Sequence, residues 1–237
     1  MPPRLNSYGQ CIGDAMPDWT PRPHPQGITL TGRYCTLQPF NAREHAEALY
    51  RAYAEAPDGR DWTWMPVEPF ADQQAYLDYA AHLEASRDPL HYTITDNQTG
   101  QPVGTLALMR IDANNGVVEV GHVAFSPLLK RTRIATEAQF LLMGYVFDTL
   151  GYRRYEWKCD SLNTPSRRAA ERLGFHFEGT FRQAVVYKGR TRDTHWLSML
   201  DNEWLDNKQA LTRWLAEANF DSAGQQLHTL TQIRDAL

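Results

Sequence analysis

The feature that most constrains this chain is a change of hydrophobic period near residue 125. The run GVVEVGHVAF, residues 116–125, has the composition of a strand, whereas residues 134–150 carry apolar side chains at helical spacing on more than one face. The residues between them, SPLLKRT, include a proline and two adjacent cations. This order predicts a strand, a turn and a mostly buried helix, so a sheet with a helix packed against it.

The flanking segments predict further strands and helices in a mixed order. The runs LHYTITD, PVGTLALMRI and GVVEVGHVAF are joined by the turn signals DNQTGQ and DANNG, which predicts an antiparallel meander. The fold class is therefore α/β of the α+β kind, with a mixed, mostly antiparallel central sheet flanked by helices. The other predicted elements are a strand at about 33–38, helices at about 41–55 and 71–86, a strand at 153–160, a helix from 164, strands at about 176–188 and 191–200, and a C-terminal helical tail.

Proline spacing and helical periodicity set the predicted domain limits. Residues 1–27 are rich in proline between Pro17 and Pro25, which predicts an extended N-terminal arm. The folded domain is expected at 28–202. Residues 203–237 are expected to form a helical extension, because Leu211, Trp214 and Leu215 keep helical spacing.

Composition excludes several classes of protein. With 42% apolar and 22% charged residues the chain is a globular protein rather than a disordered one. A net charge of −4 and a pI near 6.1 provide no global basic field for nucleic acid or an anionic membrane, so any anion site is local.

Cysteine usage and hydropathy predict the compartment. Cys11, Cys35 and Cys159 are odd in number and far apart, which fits neither a disulfide framework nor a metal site with short ligand spacing. No apolar run approaches the ~18–20 residues of a membrane span, and the first 27 residues lack a signal-peptide core. We expect a cytoplasmic protein without a metal.

Four segments in register carry a resemblance to a known family. They are VEVGHVAFSP, RIATEAQFLLMGYVFDTLGYRRYEW, LNTPSRRAAERLGFHFEGTFRQ and GRTRDTHWLSML. Over roughly residues 28–202 the chain resembles the GNAT N-acetyltransferase superfamily, in the branch of ribosomal-protein N-terminal acetyltransferases and their small-molecule relatives. The resemblance implies the fold predicted above and the acetyl-CoA-dependent acetylation of a primary amine, on a protein N-terminus or a small molecule.

In this family the turn before the long helix wraps the pyrophosphate of coenzyme A. The unsatisfied N–H groups and the dipole of a helix N-terminus favour an anion there. This chain has Arg131 and Arg133 where most relatives have glycine, so arginine charge replaces backbone freedom, although a solvated cation cluster is the alternative. The predicted coenzyme residues on this strand, turn and helix are Val123, Phe125, Lys130, Arg131, Thr132, Arg133, Ile134, Ala135 and Thr136.

The start of the next helix supplies a second candidate group. The resemblance implies that Asn163 contacts the pantetheine arm and that Ser166 lies near the thioester sulfur, where a hydroxyl can assist the departing thiolate. Both side chains are also of types that cap helices. The sequence predicts Thr164 as the N-cap of this helix and Gly174 as its end.

A general base is harder to assign. Relatives carry an acid where this chain has Val185, which leaves Glu119 and His122 as the nearest titratable replacements. In a regular strand they face opposite sides, with Glu119 on the face of Val123 and Phe125, so only one serves unless the strand bulges. We expect Glu119 to be the base, directly or through water. The alternative is that Glu119 is a structural acid paired to an arginine and that solution water or hydroxide removes the proton. Asp193 matches an acid of the branch, with bracing of a nearby arginine as its alternative role.

The aromatic loop DWTWMPVEPF, residues 61–70, is the expected acceptor site. Trp62 and Trp64 are candidate walls, Glu68 or Asp61 is a candidate partner for an ammonium, and His122 is a further candidate for substrate binding. Core packing explains the aromatic residues equally well.

Two other functions stay open. One is a non-catalytic acyl-CoA-binding or sensor module. The other is a nucleotide-binding domain, although the sequence shows no Gly-rich phosphate loop. A homodimer is also open.

Overall fold

The computed structural model describes residues 4–237. Ten strands occur in these residues: β1 (Arg4–Leu5), β2 (Cys11–Ile12), β3 (Leu30–Thr31), β4 (Cys35–Pro39), β5 (Leu90–Asp96), β6 (Pro102–Asp112), β7 (Val117–Phe125), β8 (Arg154–Asp160), β9 (His176–Tyr187) and β10 (Arg190–Leu200). Eight of them form one sheet in the order β3-β4-β5-β6-β7-β8-β10-β9. Its neighbours are antiparallel except β7 and β8, which are parallel.

Six α-helices accompany the sheet, and side chains cap most of them. The helices are α1 (Ala42–Ala54), α2 (Gln73–Ala85), α3 (Arg133–Gly144), α4 (Thr164–Leu173), α5 (Asp201–Leu215) and α6 (Leu230–Asp235). Asn41 accepts a hydrogen bond from the N–H of Glu44 at the start of α1, and Asp72 does the same for Ala75 in α2. A π-helical turn, Tyr145–Thr149, continues α3.

The predicted fold class and the antiparallel meander are confirmed. The strands β5, β6 and β7 are consecutive and antiparallel, and the helices begin within two residues of the predicted positions. The sequence pattern missed β3, because two residues are too few to show an alternation. The C-terminal helix begins at Asp201, two residues before the predicted extension.

Helices cover both faces of the sheet, as the alternating side chains of β5 show. Tyr92 and Ile94 belong to the larger core, which α3 and α5 cover. Between them, the Thr93 hydroxyl lies 2.9 Å from Nδ1 of His45 on α1, so α1 and α2 cover the opposite face. The sheet is thus the middle layer of three, and each face has its own apolar cluster.

Both predicted extensions contact the sheet domain. Trp204, Leu211 and Trp214 of α5 are part of the larger core. In the arm, the Trp19 indole donates a 2.9 Å hydrogen bond to the carbonyl of Asn114, while residues 1–3 of the arm lie outside the described residues. Across residues 4–237, no helix combines the length and apolar character that spanning a membrane requires. The domain limits at 27 and 202 stay a prediction.

Candidate active site

A cleft opens where the two parallel strands separate. β7 and β8 pair from Val117 and Arg154 as far as Val120 and Trp157. Beyond these residues the two strands separate, while β7 stays paired with β6 and β8 with β10. The helices that follow them, α3 and α4, begin beside the opening, so two helix N-termini with unsatisfied N–H groups face it. The cleft encloses about 1220 Å³, which exceeds the ~300–1,000 Å³ of a typical small-ligand site. Two ligands can therefore occupy it together.

A β-bulge in β7 redirects the strand at this opening. Two residues of β7, His122 and Val123, oppose the single residue Leu106 of β6. His122 has φ of 48°, in the left-handed region that few non-glycine residues adopt. The predicted regular alternation is wrong beyond this point: Val123 and Phe125 pack toward the larger core, and they do not share the face of Glu119.

The turn before α3 places an arginine in a backbone conformation that glycine adopts most easily. Arg131 has φ of 61°, so the arginine occupies a left-handed position directly before the helix. Thr132 is the N-cap, and its hydroxyl accepts a 3.3 Å hydrogen bond from the N–H of Ala135. The fully buried side chain of Leu129 anchors the turn to the larger core. The backbone therefore reaches the cleft without glycine.

The three cations of the turn have different partners. Lys130 pairs with Asp61 of the aromatic loop. The Arg133 guanidinium lies 4.3 Å from the ring centre of Phe220 and 5.0 Å from that of Tyr34. Within the described part of the chain, neither Arg131 nor Arg133 has a carboxylate within ion-pair distance. These two arginines give this end of the cleft, at the start of α3, an uncompensated positive charge.

Asn163 and Ser166 lie together at the start of α4. The N-cap is Asn163, whose side chain accepts a 3.1 Å hydrogen bond from the N–H of Ser166; the predicted cap at Thr164 is wrong because Thr164 is already helical. The Trp157 indole donates a 3.0 Å hydrogen bond to Oγ of Ser166. Since an indole is only a donor, Ser166 keeps its own proton for another acceptor.

The aromatic loop forms the opposite wall. Trp62, Trp64 and Met65 line the cleft, whereas Phe70 lies behind them with its ring centre 5.3 Å from that of Trp62. Glu68 forms a 2.8 Å ion pair with Lys188 and does not line the cleft. The wall is therefore mainly aromatic, and Asp61, the acid of this loop that does line the cleft, is paired with Lys130.

Glu119 lies in a buried ion-pair network outside the lining of the cleft. Its carboxylate is 2.9 Å from Nζ of Lys158 and 3.2 Å from Nε of Arg110, and Lys158 also lies 2.8 Å from Glu156. Burial raises the pKa of Glu119, and the Lys158 charge opposes that rise. These contacts favour the interpretation as a paired structural acid, and its role as base stays a prediction.

The other predicted residues divide between the cleft and its surroundings. Ile134 packs against the larger core instead of lining the cleft. Asp193 braces no arginine: its carboxylate accepts a 2.7 Å hydrogen bond from the N–H of Gln183. The predicted coenzyme residues that do line the cleft are Val123, Phe125, Lys130, Arg131, Thr132, Arg133, Ala135, Thr136, Asn163 and Ser166.

Several lining residues were missed by sequence reasoning. Trp214 and Phe220 of the C-terminal extension form part of the wall, together with Gln139 of α3 and Arg172 of α4. Arg172 lies over the Trp214 ring at 4.6 Å. The spacing of Trp214 indicated only a packed helix, and nothing local showed that the extension returns to the start of α3. Gln139 follows Ala135 by four residues and Thr136 by three, so helical periodicity could have placed it beside these two predicted residues.

A mixed sheet that separates at one parallel pair, with two helix N-termini at the opening, is the architecture of an acetyltransferase. A family model described as an acetyltransferase (GNAT) domain matches residues 35–176, and the chain belongs to this family. It is an N-acetyltransferase by family, as the resemblance implied.

Individual relatives agree with this assignment. A GCN5-related N-acetyltransferase from Brucella melitensis is 50% identical, with a TM-score of 0.91 over 93% of this chain and 100% of that one. A probable acetyltransferase of the GNAT family from Chromobacterium violaceum is 42% identical, with a TM-score of 0.76 over 86% and 99%. An uncharacterized N-acetyltransferase, p20, from Bacillus licheniformis is 30% identical over 152 residues, which are 60% of this chain and 80% of the relative.

Proposed function

We propose that this protein transfers an acetyl group from acetyl-CoA directly to a primary amine of a small molecule or a peptide. The observation that carries the proposal is the single cleft joining the cationic start of α3 to the aromatic loop. Its cationic end suits the phosphates of coenzyme A and its aromatic end suits an organic acceptor. One continuous space allows the thioester and the amine to meet without a covalent enzyme intermediate.

Each part of the cleft has a role in this proposal. The N–H groups at the start of α3, with Arg131 and Arg133, hold the pyrophosphate. Asn163 and the edge of β7 left unpaired beyond Val120 receive the pantetheine arm, and a β7 N–H stabilises the oxyanion. The Ser166 hydroxyl lines the cleft beside the Trp157 indole, where it assists the departing thiolate.

Two departures from the family pattern were the grounds for a non-catalytic module: the valine in place of an acid and the missing glycines. Val185, which replaces the acid of relatives, lies on the largely exposed strand β9 and does not line the cleft. The missing glycines are compensated because Arg131 adopts the left-handed conformation. Neither departure removes a group from the space where the reaction would occur.

A thiol-release assay tests the transfer. Purified protein is given acetyl-CoA and, separately, N-terminal peptides, polyamines, amino acids and aromatic amines. We expect amine-dependent release of free coenzyme and an acetylated amine in the mass spectrum. Coenzyme binding by calorimetry with no release above the amine-free rate, for every amine, would instead establish the non-catalytic module.

A further inference from the structure

A second, much smaller cavity lies between the sheet and the α1–α2 layer, beside the cleft. It encloses about 10 Å³ and shares the walls Tyr53, Trp62 and Ala124 with the cleft. The remaining walls include His91 of β5 and His122 of β7. The cavity thus adjoins the aromatic end of the cleft, where the amine is expected.

The two histidines are the unusual feature of this cavity. Their rings meet edge to face with centres 5.2 Å apart. Nδ1 of each ring is buried and has no hydrogen-bond partner among residues 4–237, and His91 is only 4% exposed. Buried polar atoms are normally satisfied by protein or by an ordered water, so two orphaned nitrogens at one cavity point to a missing partner.

The cavity has the size and the polar groups to hold one water molecule. A cavity needs roughly 10–15 Å³ and two to four polar partners to retain a water. Two further polar groups belong to residues that line the cavity. They are Oγ1 of Thr105 and the hydroxyl of Tyr53, which lie 3.3 Å apart. These atoms provide as many polar partners as one buried water needs.

The backbone of β7 is built to bring His122 to this position. The bulge and the left-handed φ of His122 break the alternation of the strand at this one residue. Sparsely populated backbone conformations persist where surrounding structure enforces them, and they concentrate at functional sites. A regular strand would have sent His122 to the opposite face.

We propose that this cavity holds one water through which His122 receives the proton of the acceptor amine, with His91 as the residue that positions the water. The proposal rests on the proposed acetyl transfer. The bound ammonium gives a proton to the water, and the water gives one of its own to Nδ1 of His122. The free amine attacks the thioester carbon, the C–N bond forms, the C–S bond breaks, and the second proton of the nitrogen ends on the leaving sulfur.

The groups around the cavity keep both imidazoles neutral, which leaves them able to accept a proton. Burial lowers the pKa of His122, and burial together with His122 lowers the pKa of His91 to about 4. The other titratable groups on the cavity are Tyr53, Tyr76 and Tyr79, whose pKa values burial raises. No carboxylate lines it within the described ranges. Both imidazoles are therefore neutral at pH 7, and the pair accepts one proton more readily than two.

Kinetics of His122→Asn test the relay, because asparagine also tolerates the left-handed backbone. We expect kcat at pH 7 to fall on the order of a hundredfold with the affinity for acetyl-CoA unchanged. The parent kcat/KM should fall as pH drops below the His122 pKa, and the variant should lack that limb. Equal kcat and the same acid limb in His122→Asn would overturn the relay.

His91→Gln and His45→Gln form a matched pair of buried histidine replacements. His45 is buried but already bonded to Thr93, and its replacement should leave kcat unchanged. His91→Gln should lower kcat about tenfold and change the pH profile, since the water loses a partner. Equal kcat in the two variants would refute the positioning role of His91.

A measurement independent of activity separates this relay from the acetyl transfer. In protein labelled with ¹⁵N-histidine, replacement of His91 by Phe should move the His122 titration midpoint to lower pH, because the protonated ring loses its water. An unchanged midpoint would contradict the water-bridged pair. A parent that releases no coenzyme with any amine would refute the transfer, while the titration still decides on the bridge.

Discussion

The two ends of the cleft differ in how their charges are balanced. At the coenzyme end, Arg131 and Arg133 have no carboxylate partner in the part of the chain that the structure describes. At the acceptor end each nearby acid is already paired: Asp61 with Lys130, Glu68 with Lys188, and Glu119 with two cations. In the proposed reaction the cationic end therefore selects the coenzyme by charge, and the aromatic end selects the acceptor by shape.

This difference bears on how the acceptor amine loses its proton. Glu119 lies 2.9 Å from Lys158 and lines neither cavity, so an ion pair already engages its carboxylate even though burial raises its pKa. The unpartnered Nδ1 of His122 has no such competitor. Polar groups near the acceptor end therefore divide into those that hold the structure and those that still need a partner.

Breaking the paired acids gives the largest predicted effect. Lys158 is 5% exposed between Glu119 and Glu156, so Lys158→Met leaves buried carboxylates without their shared cation. We expect the free energy of unfolding to fall by about 3–5 kcal/mol in urea titrations at pH 7.

Two further variants test whether the lost stability comes from the unpaired buried charges. The double variant Lys158→Met, Glu119→Gln should recover part of the loss, because one of the stranded charges is removed. Lys208→Met, which removes a half-exposed pair with Asp148, should cost no more than ~1 kcal/mol. A loss of that small size in Lys158→Met would show that the network contributes little to stability.

The neutral histidines predict a pH dependence of stability. The pKa of His91 is about 4 in the folded protein against 6.5 when exposed, so the unfolded chain binds more protons between these values. Stability from His91 is complete above pH 6.5 and is lost as pH falls toward 4, by up to about 3 kcal/mol. Urea titrations of the parent and His91→Gln should converge over this range, and parallel curves would refute the shift.

The unpaired arginines predict how coenzyme binding depends on charge. Replacing Arg131 and Arg133 together with alanine should weaken acetyl-CoA binding more than tenfold, which is more than ~1.4 kcal/mol. Calorimetry measures it, and added salt should reproduce the loss. Lys130→Ala is the matched control: its charge is already neutralised by Asp61, so it should cost less. Equal losses in the control and the double variant would remove the distinction between free and paired cations.

Ser166 tests the point where the two ends meet. Ser166→Ala should lower kcat about fivefold, ~1 kcal/mol in activation free energy, while the coenzyme affinity stays near that of the parent. The Asn163 cap does not use the hydroxyl, because Asn163 accepts from the backbone N–H of Ser166. An equal loss of affinity and turnover would assign the hydroxyl to binding.

Local patterns and the family resemblance located residues that line the cationic end of the cleft, whereas contacts between distant segments determine the surroundings of Glu119 and His122. Helix starts, turn residues and the cationic turn are encoded within a few residues, and Lys130, Arg131, Asn163 and Ser166 all line the cleft as expected. The bulge at His122 is set by pairing with β6, a contact between distant segments, so simple alternation misplaced Val123. The pairing of Glu119 with Lys158 likewise joins two strands far apart in sequence.

The smallest predicted effect separates the charge of Arg131 from its backbone conformation. Its φ of 61° is one that glycine adopts without strain and that arginine does not. Arg131→Gly should therefore raise the free energy of unfolding by up to ~1 kcal/mol. The greater conformational entropy of glycine in the unfolded chain reduces this gain. In the same variant the coenzyme should bind more weakly, because one unpaired cation is gone.

Arg131→Lys provides the complement to this variant. It keeps the charge and the strain, so its stability should equal that of the parent and its coenzyme affinity should lie between those of the parent and Arg131→Gly. Urea titration and calorimetry on the same three proteins separate the two contributions. Arg131→Gly with unchanged affinity and higher stability would mean that the backbone of this turn, and not its charge, binds the coenzyme, in which case the two ends of the cleft differ in shape alone.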